Sequence, residues 1–435
     1  MDILLIGNGF DLEHGLPTKY SDFLEFCNRV KPIYTFHSFT FHSFTVLDEY
    51  SEKQYETEWL TSWKTAPSIK SALIDACKTR TVQNSMDGKG PVIITDNKLL
   101  DELNSLTHSN SWLSYFRSRS DSLGENWIDF ESEISNVIQS LDYAEKFILS
   151  GRSIIDIDEP HNSLLAKIVA TTHLSLNHAP YDIHVIQNVT KHLDTALNQF
   201  IRAFEIYLAV FVNTIPIKHK SSDVEALNPD YVLSFNYSNT YERLYDQAQN
   251  VQYDFIHGKA SADNTLDSCN MVLGIDEYLD GHKKQEELGF LTFKKYYQRI
   301  YKATGNAYLT WVDCLKNEYS EFVEQEKYAE QRRGYSYGKS ALTMSKKLFQ
   351  PSLHMHTLSI FGHSLDKTDK DILKSLICND NVKTKIYYYQ EYAHDKRTLG
   401  KLIKNLVYIM GPDELIRRTG GPHKTIEFIP QTLHE

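Results

Sequence analysis

The chain has 435 residues, 41% hydrophobic and 24% charged, a composition typical of one large or several ordinary globular domains. Its formal net charge of -11 argues against a protein that coats nucleic acid through a positive field. The five cysteines are far apart without a CxxC pair, and no apolar run reaches the roughly 18 residues of a membrane span. We therefore expect a reduced, cytoplasmic protein that does not bind membranes.

Short apolar runs that end in small or polar residues predict strands of a buried parallel sheet, because such strands are covered on both faces. More than two hundred residues separate the first run from the second, and most of them predict helices, with apolar residues three or four positions apart. The six predicted strands lie at 3–7, 231–236, 253–258, 271–276, 356–362 and 383–389.

This order predicts an α/β fold with a Rossmann-like parallel sheet core and a long helical insertion after the first strand. A second insertion is rich in lysine, tyrosine and glutamate. A repeated FHSFT unit at 36–45 is interpreted as a loop or hairpin. The predicted division assigns 1–20, 225–280 and 350–435 to the nucleotide-binding core, 21–224 to the mainly helical insertion, and 281–349 to the second helical insertion.

The first predicted strand runs into Gly7, Asn8 and Gly9. A Gly-x-Gly turn lets the backbone approach a ligand closely, and a helix that begins there favours phosphate through its free N–H groups. The motif is half of a dinucleotide-binding fingerprint, since leucine stands where the third glycine belongs. A tight turn without a ligand is an equally good interpretation. Asp11 would repel a pyrophosphate, so we expect it to cap a short helix or to face a sugar or base.

A second turn follows at Gly15-Leu16-Pro17. Its glycine and proline predict a flexible lid over the site. Tyr20, just beyond, is placed to lie on a ring of the ligand. Core packing is the alternative interpretation for Tyr20.

Polar residues follow three other predicted strands, at Asn236, at His257-Gly258 and at Gly362-His363-Ser364. Parallel strands end at one edge of the sheet, where α/β proteins bind their ligands. An asparagine can orient a water molecule, and histidine is the natural base near neutral pH. A histidine before a glycine is also a common turn residue. The late Asp366 and Asp369 suit helix capping.

Three weaker candidates remain. The block NWIDFESEI carries Asp129, Glu131 and Glu133, whose spacing suits either a metal or a helix dipole, and Glu131 is the one we expect to line the site. His354 and His356 share one face of a strand but lack an evident third ligand, so no metal is predicted. The stretch 293–302 mixes tyrosines with basic side chains, which suits either nucleic acid or an amphipathic surface helix with extended lysines. Its cations are Lys294, Lys295, Arg299 and Lys302.

The blocks GNGFDLEHGLPTKYSDFL, NWIDFESEI, SFNYSNTYE, HGK and FGHSLDKTDKDIL resemble, in this order, the bacteriophage abortive-infection AbiH family. The resemblance extends to about residue 390. More distantly the chain is similar to the sirtuin-like NAD-binding fold, through Gly-x-Gly, Gly-Leu-Pro, His-Gly and Gly-x-Ser-Leu. That similarity implies a sirtuin-like core with catalytic residues Asn236, His257 and Asp11. The residues implied to contact NAD are Gly7, Asn8, Gly9, Phe10, Pro17, Tyr20, Gly258, Gly362, His363 and Ser364.

The chain departs from the sirtuin-like pattern at two positions. Ser238 stands where an aspartate is usual, and Asp11 stands where a serine is usual. The four-cysteine zinc module of protein deacylases is also missing, which argues against protein deacylation. Asp11 leaves open a different nucleotide or a different cleaved bond.

These resemblances predict an anti-phage effector that hydrolyses the N-glycosidic bond of NAD and releases nicotinamide. The expected partners are a nucleotide, a phage-derived trigger and a second copy of the chain, with nucleic acid less favoured. A nuclease or other nucleotide-cleaving effector, using the acidic block and the basic stretch, is one alternative. A non-catalytic nucleotide-binding sensor or scaffold is another, and it would keep its binding after His257→Ala.

Overall fold

The computed structural model describes residues 1–42, 63, 67–78, 80–83, 92–95, 98–123, 129–153, 156–172, 183–217, 219–276, 289–333, 352–390 and 397–432. Within these residues eight strands form two sheets. One sheet has six parallel strands, and a separate antiparallel pair joins β2 to β3. The strands are β1 Asp2–Ile6, β2 Arg80–Gln83, β3 Val92–Thr95, β4 Tyr231–Ser234, β5 Gln252–Phe255, β6 His356–Phe361, β7 Val382–Tyr388 and β8 Ile426–Pro430.

The helices lie mainly before β4 and after β5. A π-helix, Tyr207–Val212, continues α8. The α-helices are α1 Asn8–Glu13, α2 Tyr20–His42, α3 Pro67–Lys78, α4 Lys98–Thr107, α5 Ser111–Leu123, α6 Phe130–Leu149, α7 His161–Thr172, α8 Ile183–Ile206, α9 Ser222–Glu225, α10 Thr240–Leu244, α11 Lys295–Tyr301, α12 Tyr308–Arg333, α13 Lys370–Ile377, α14 Arg397–Met410 and α15 Pro412–Thr419.

The main sheet has the strand order β5-β4-β1-β6-β7-β8, and every neighbouring pair is parallel. With its strands numbered in chain order, this is 3-2-1-4-5-6, the order of a doubly wound Rossmann-like sheet. The direction of winding reverses between β1 and β6. In such sheets the crevice at the reversal is where ligands bind, so the residues after these two strands are candidates for a functional site.

The sequence of β1 explains its central position. Ile3 and Leu5 pack on one face of the sheet with the apolar residues of α12 to α15, and Leu4 and Ile6 pack on the other face. All four are at most 2% exposed, as expected of a parallel strand with helices on both sides. The helices from α2 through α8 and the π-helix pack around a separate apolar core.

Five of the six predicted strands are present, and one prediction is wrong. The run 271–276 is buried and extended, but it enters no ladder of the main sheet and makes one isolated bridge, between Ile275 and Lys294. The Leu273 N–H donates to Gln298 Oε1, and Gln298 Nε2 donates to the Leu273 carbonyl. The strand β8 was not predicted, because Ile426 is its one fully buried residue and the rest is partly exposed.

The repeat at 36–45 was also misread. Residues 36–42 continue helix α2 instead of forming a loop or hairpin, and 43–45 lie outside the described residues. Among the helices described, Ile183–Val212 is long and apolar enough to cross a membrane, but 72% of its apolar window is buried inside the protein. That burial is typical of the core helix of a soluble protein.

Candidate active site at the carboxyl edge of the sheet

The turn after β1 packs directly against the turn after β6. The Gly7 N–H donates to the carbonyl of Phe361 at 3.1 Å, and the Gly9 N–H donates to the carbonyl of Gly362 at 2.8 Å. The Phe10 N–H donates to the Gly7 carbonyl, also at 2.8 Å. These three N–H groups therefore serve the protein's own backbone, and in this conformation they do not point to a phosphate.

The glycines permit this contact between two backbones. A Cβ on Gly362 would lie 2.1 Å from the nitrogen of Phe10, and Gly362 has a φ of +68°, which disfavours other residues. A Cβ on Gly9 would lie 2.8 Å from the Gly362 Cα, and one on Gly7 2.7 Å from the His363 Cα. The close approach predicted from Gly-x-Gly is real, but the group approached is the backbone of the neighbouring strand.

The segment predicted as a flexible lid is anchored at three points. Leu16 is 2% exposed within the helical core. The carbonyl of Pro17 accepts from the Tyr207 hydroxyl at 2.8 Å, and Thr18 donates to the side chain of Asn8 at 2.7 Å. In this conformation the segment joins the glycine turn to the helical part of the protein.

Tyr20 and Phe10 have packing partners inside the protein. Tyr20 stacks on Phe130 with ring centroids 4.2 Å apart, which is the core-packing alternative. Phe10 is fully buried, and its ring lies 5.9 Å from that of Phe361 and 6.3 Å from that of Tyr241. Its ring is therefore part of the sheet's core.

Asn236 and Asp11 tie the ends of β1 and β4 together. Asn236 Nδ2 donates to the Gly7 carbonyl at 2.9 Å, and Ser238 Oγ donates to Asp11 Oδ2 at 2.6 Å. Asp11 lies within α1 and does not cap it. Its other oxygen has no hydrogen-bond partner among the described residues. Burial raises the pKa of Asp11 to about 6, against the opposing effect of its Ser238 hydrogen bond.

A second group of side chains, at the ends of β5 and β6, has a different character. His257 Nε2 lies 3.9 Å from Asp369 Oδ1, and His363 Nε2 lies 3.4 Å from Asp369 Oδ2. The His363 Nδ1 accepts from the Leu365 N–H at 2.9 Å, so the ring proton is on Nε2 and faces the carboxylate. The ring of Phe235 contacts both histidines. One carboxylate thus lies beside two imidazoles and is closer to that of His363.

The cluster combines a neutral imidazole with an ionised carboxylate. Burial, together with the positive charge of Lys295, lowers the pKa of His257 to about 3. Burial raises the pKa of Asp369, but the His363 hydrogen bond and nearby positive charge outweigh it and bring the value to about 2. At neutral pH His257 is therefore neutral and Asp369 is ionised. The buried Nδ1 of His257 has no hydrogen-bond partner among the described residues.

An ion pair borders the histidine–aspartate cluster. Lys295 Nζ, from α11, lies 2.6 Å from Glu131 Oε2, from the first turn of α6. Burial raises the pKa of Glu131 to about 7, and the charge of Lys295 opposes that rise. Both groups influence Asp369 electrostatically. The structure therefore places Glu131 near the cluster, and its predicted role in lining a ligand site stays a prediction.

The other two acids of the NWIDFESEI block have structural roles. Asp129 is the N-cap of α6 and accepts from the N–H groups of Glu131 and Ser132. Glu133 is held by Arg119 at 2.9 Å and by the Tyr115 hydroxyl at 2.8 Å. Among the described residues, the block does not form a group of ligand atoms close enough to hold a metal ion.

The basic stretch 293–302 turns inward. Lys294 is 1% and Lys295 8% exposed. Lys302 Nζ donates to the Met271 carbonyl at 2.5 Å, and Arg299 donates to the Gly305 carbonyl. Lys295, Arg299 and Lys302 therefore have internal partners, whereas the side chains of Tyr296, Ile300 and Tyr301 are exposed.

The segment after β5 holds His257 in place. Gly258 has a φ of +82°, and a Cβ there would lie 2.2 Å from the Asn270 carbonyl oxygen. The His257 carbonyl accepts from the Val272 N–H at 2.8 Å. By contrast, Ser364 is exposed, and its carbonyl accepts from Asn405 Nδ2.

The sequence missed two members of the cluster. Asp366 caps a short helix through the Thr368 N–H, as predicted, but Asp369 makes no side-chain cap and faces the histidines. Lys295 was taken for a surface cation. The available signal for Asp369 was its position, because it lies only seven residues after Gly362, which follows the end of a predicted strand.

A family model for the bacteriophage abortive infection protein AbiH matches residues 3–390 of this chain. The chain belongs to the AbiH family. The AbiH match includes all of β1 except its first residue, all of β4, β5, β6 and β7, and every residue of the cluster. No curated protein and no solved structure matches the chain significantly. Membership of AbiH indicates a role in abortive-infection defence against phage.

Proposed function

We propose that this AbiH protein is an abortive-infection effector that hydrolyses the N-glycosidic bond of a dinucleotide, with NAD as its substrate. One observation carries the proposal. His257 is a neutral, buried imidazole beside the ionised Asp369, and its Nδ1 lacks a partner among the described residues. Perturbed groups of this kind at the carboxyl edge of an α/β sheet are characteristic of catalytic sites.

Charges of both signs act on His257, negative from Asp369 and positive from Lys295 and Arg299, and the carboxylates are the groups suited to glycosidic cleavage. Glu131, Asp276 and Asp369 surround Lys295 and influence one another's pKa values. Carboxylates repel a phosphate but stabilise the positive charge that develops at a sugar carbon when its bond to a leaving group breaks. The nicotinamide ring of NAD is itself cationic, which suits the same surroundings.

The proposed steps balance without a further reactant. The bond between the ribose C1′ and the pyridinium nitrogen breaks, and its electron pair leaves with neutral nicotinamide. Water attacks C1′ and gives a proton to His257, and Asp369 stabilises the resulting imidazolium. The products are nicotinamide, ADP-ribose and a proton. Asn236, bound to the Gly7 carbonyl, positions the turn that borders the site.

This mechanism does not need the Gly7–Gly9 turn to hold phosphates. Its N–H groups are bonded to backbone carbonyls, which leaves the phosphates of NAD to other donors. The resemblance to the sirtuin-like fold supports NAD as the dinucleotide. The nuclease alternative has less support, because the acidic block and the basic stretch are occupied by internal contacts.

The test is product analysis after purified protein is incubated with NAD, alone and with lysate from phage-infected cells. Wild type should release nicotinamide and ADP-ribose, and His257→Gln should lose about 10²–10⁴-fold of that rate. His161→Gln is the matched control, since His161 bonds Ser140 and stacks on Tyr143 in the helical part. Intact NAD in every wild-type sample would contradict the proposal.

A further inference from the structure

A cluster of potential metal ligands lies at the opposite edge of the sheet from the proposed active site. One ring nitrogen of His354, one of His356 and a carboxylate oxygen of Glu318 all lie within 4.8 Å of one another. The two histidines flank the start of β6, and Glu318 belongs to α12. The third ligand that the sequence lacked thus comes from a helix that precedes the strand.

His356 provides a second, independent observation. Its side chain is 2% exposed, and its Nε2 lies 2.9 Å from Glu318 Oε2. If Nε2 donates to that carboxylate, Nδ1 keeps a lone pair. That Nδ1 is buried and has no hydrogen-bond partner in the described part of the chain. Because Nε2 is the nitrogen that faces Glu318, an ion shared with that carboxylate would bind Nε2 and take the place of this hydrogen bond.

We propose that Glu318, His354 and His356 bind a divalent transition metal, with Zn²⁺ the best fit, and so fasten α12 to β6. Two imidazoles and a carboxylate suit zinc and its neighbours better than Mg²⁺ or Ca²⁺, which prefer oxygen ligands. Glu318 and His354 are exposed, so ions can enter from solvent and water can take the fourth position.

The site is separate from the His257 cluster. His356 begins β6, and Phe361 ends it. A strand of that length places its two ends roughly 17 Å apart. The metal would therefore stabilise the amino edge of the sheet without taking part in hydrolysis at the carboxyl edge. Its failure to bind would leave the proposed hydrolysis unaffected.

The experiment uses the full chain, stripped with a chelator and then dialysed against ZnCl₂. Bound zinc per chain and the melting temperature are measured for wild type, His354→Ala and Glu318→Gln. Both substitutions fall on exposed side chains, so the fold should survive them. The matched controls are His108→Ala and Glu324→Gln, whose side chains are exposed and lie outside the cluster.

Wild type and both controls should bind one zinc equivalent more than His354→Ala and Glu318→Gln, or bind it at least about 10-fold more tightly. Zinc should raise the melting temperature of wild type by about 2 °C or more, and that of the two cluster variants by less. Equal stoichiometry and affinity in all five proteins, or no zinc bound by wild type, would overturn the proposal.

Discussion

Two parts of the sheet's carboxyl edge differ in the groups that form their contacts. Between β1 and β6, backbone meets backbone, and the contact depends on glycines at 7, 9 and 362. At the ends of β5 and β6, charged side chains from α6, α11 and the turn before α13 meet two histidines. The first half closes the crevice at the winding reversal, and the second supplies groups that can move protons.

A glycine motif and a cluster of titratable side chains therefore occupy neighbouring parts of one edge of the sheet. The glycine turn is the feature most readable in the sequence, yet its N–H groups are occupied. The titratable side chains lie beside it, on His363 directly after Gly362 and on His257 after β5, with partners from distant parts of the chain. Substitutions on the glycine side should therefore act on stability, and those at His257 should act on turnover.

The largest effect is expected from Gly362→Ala. The new Cβ would lie 2.1 Å from the Phe10 nitrogen at a φ of +68°. The strain and the forced separation of the turns should cost about 4 kcal/mol of unfolding free energy, measured by urea denaturation. Gly400→Ala is the control, since nothing lies within 4 Å of its Cβ, and it should be neutral or stabilising. Equal stability of Gly362→Ala and Gly400→Ala would contradict the claim that the contact between the two turns requires glycine at 362.

The next effect concerns the charged half. Lys295→Met leaves the carboxylate of Glu131 without its partner at 2.6 Å, and we expect a loss of about 3 kcal/mol. Glu131→Gln keeps a polar group beside Lys295 and should cost less than half as much. Denaturation of the two variants at neutral pH measures both values. A larger loss of unfolding free energy in Glu131→Gln than in Lys295→Met would contradict the claim that the unpaired carboxylate is the main cost.

Asp11→Asn should change the pH dependence of stability. The folded pKa of Asp11, about 6, lies above the 3.8 of the unfolded chain, so the folded protein takes up a proton first as the pH falls. Relative to Asp11→Asn, wild type should gain about 2 kcal/mol between pH 7 and pH 4. Urea denaturation at pH 7, 5.5 and 4 measures the difference in unfolding free energy between the two proteins. A difference that does not change with pH would contradict the raised pKa of Asp11.

The smallest effect is expected from Asn236→Ala. It removes the hydrogen bond to the Gly7 carbonyl and should cost about 1 kcal/mol. Asn405→Ala removes an exposed hydrogen bond to Ser364 and is the control, with a smaller loss. Nicotinamide release by both variants should be compared as well. A loss of turnover in Asn236→Ala far beyond its loss of stability would assign Asn236 a direct role in the reaction.

The sheet was largely predictable, because strands covered on both faces are apolar throughout. Ile3 to Ile6 are the clearest case. The edge strand β8 was not, since one fully buried residue in five gives no pattern. The run 271–276 shows the converse, because residues 271–275 are as buried as a strand while the side chain of Gln298 bonds the backbone of Leu273. An apolar run predicts that a segment is buried, but it does not predict that the segment pairs with a neighbouring strand.

The candidate site was predictable only in part. His257 and His363 stand directly after strands, so their place at the carboxyl edge follows from the sheet. Asp369 and Lys295 reach them from a helix start and from a basic, tyrosine-rich stretch. Composition alone does not say that Lys295 points inward, because that depends on Glu131, which lies more than 150 residues earlier.

The most direct test of the account measures NAD turnover and NAD binding on the same preparations of wild type and His257→Gln, with the stability of each recorded. The account predicts that His257→Gln binds NAD with nearly unchanged affinity, stays folded, and releases nicotinamide about 10²–10⁴-fold more slowly than wild type. Equal rates of nicotinamide release from the two proteins would contradict it.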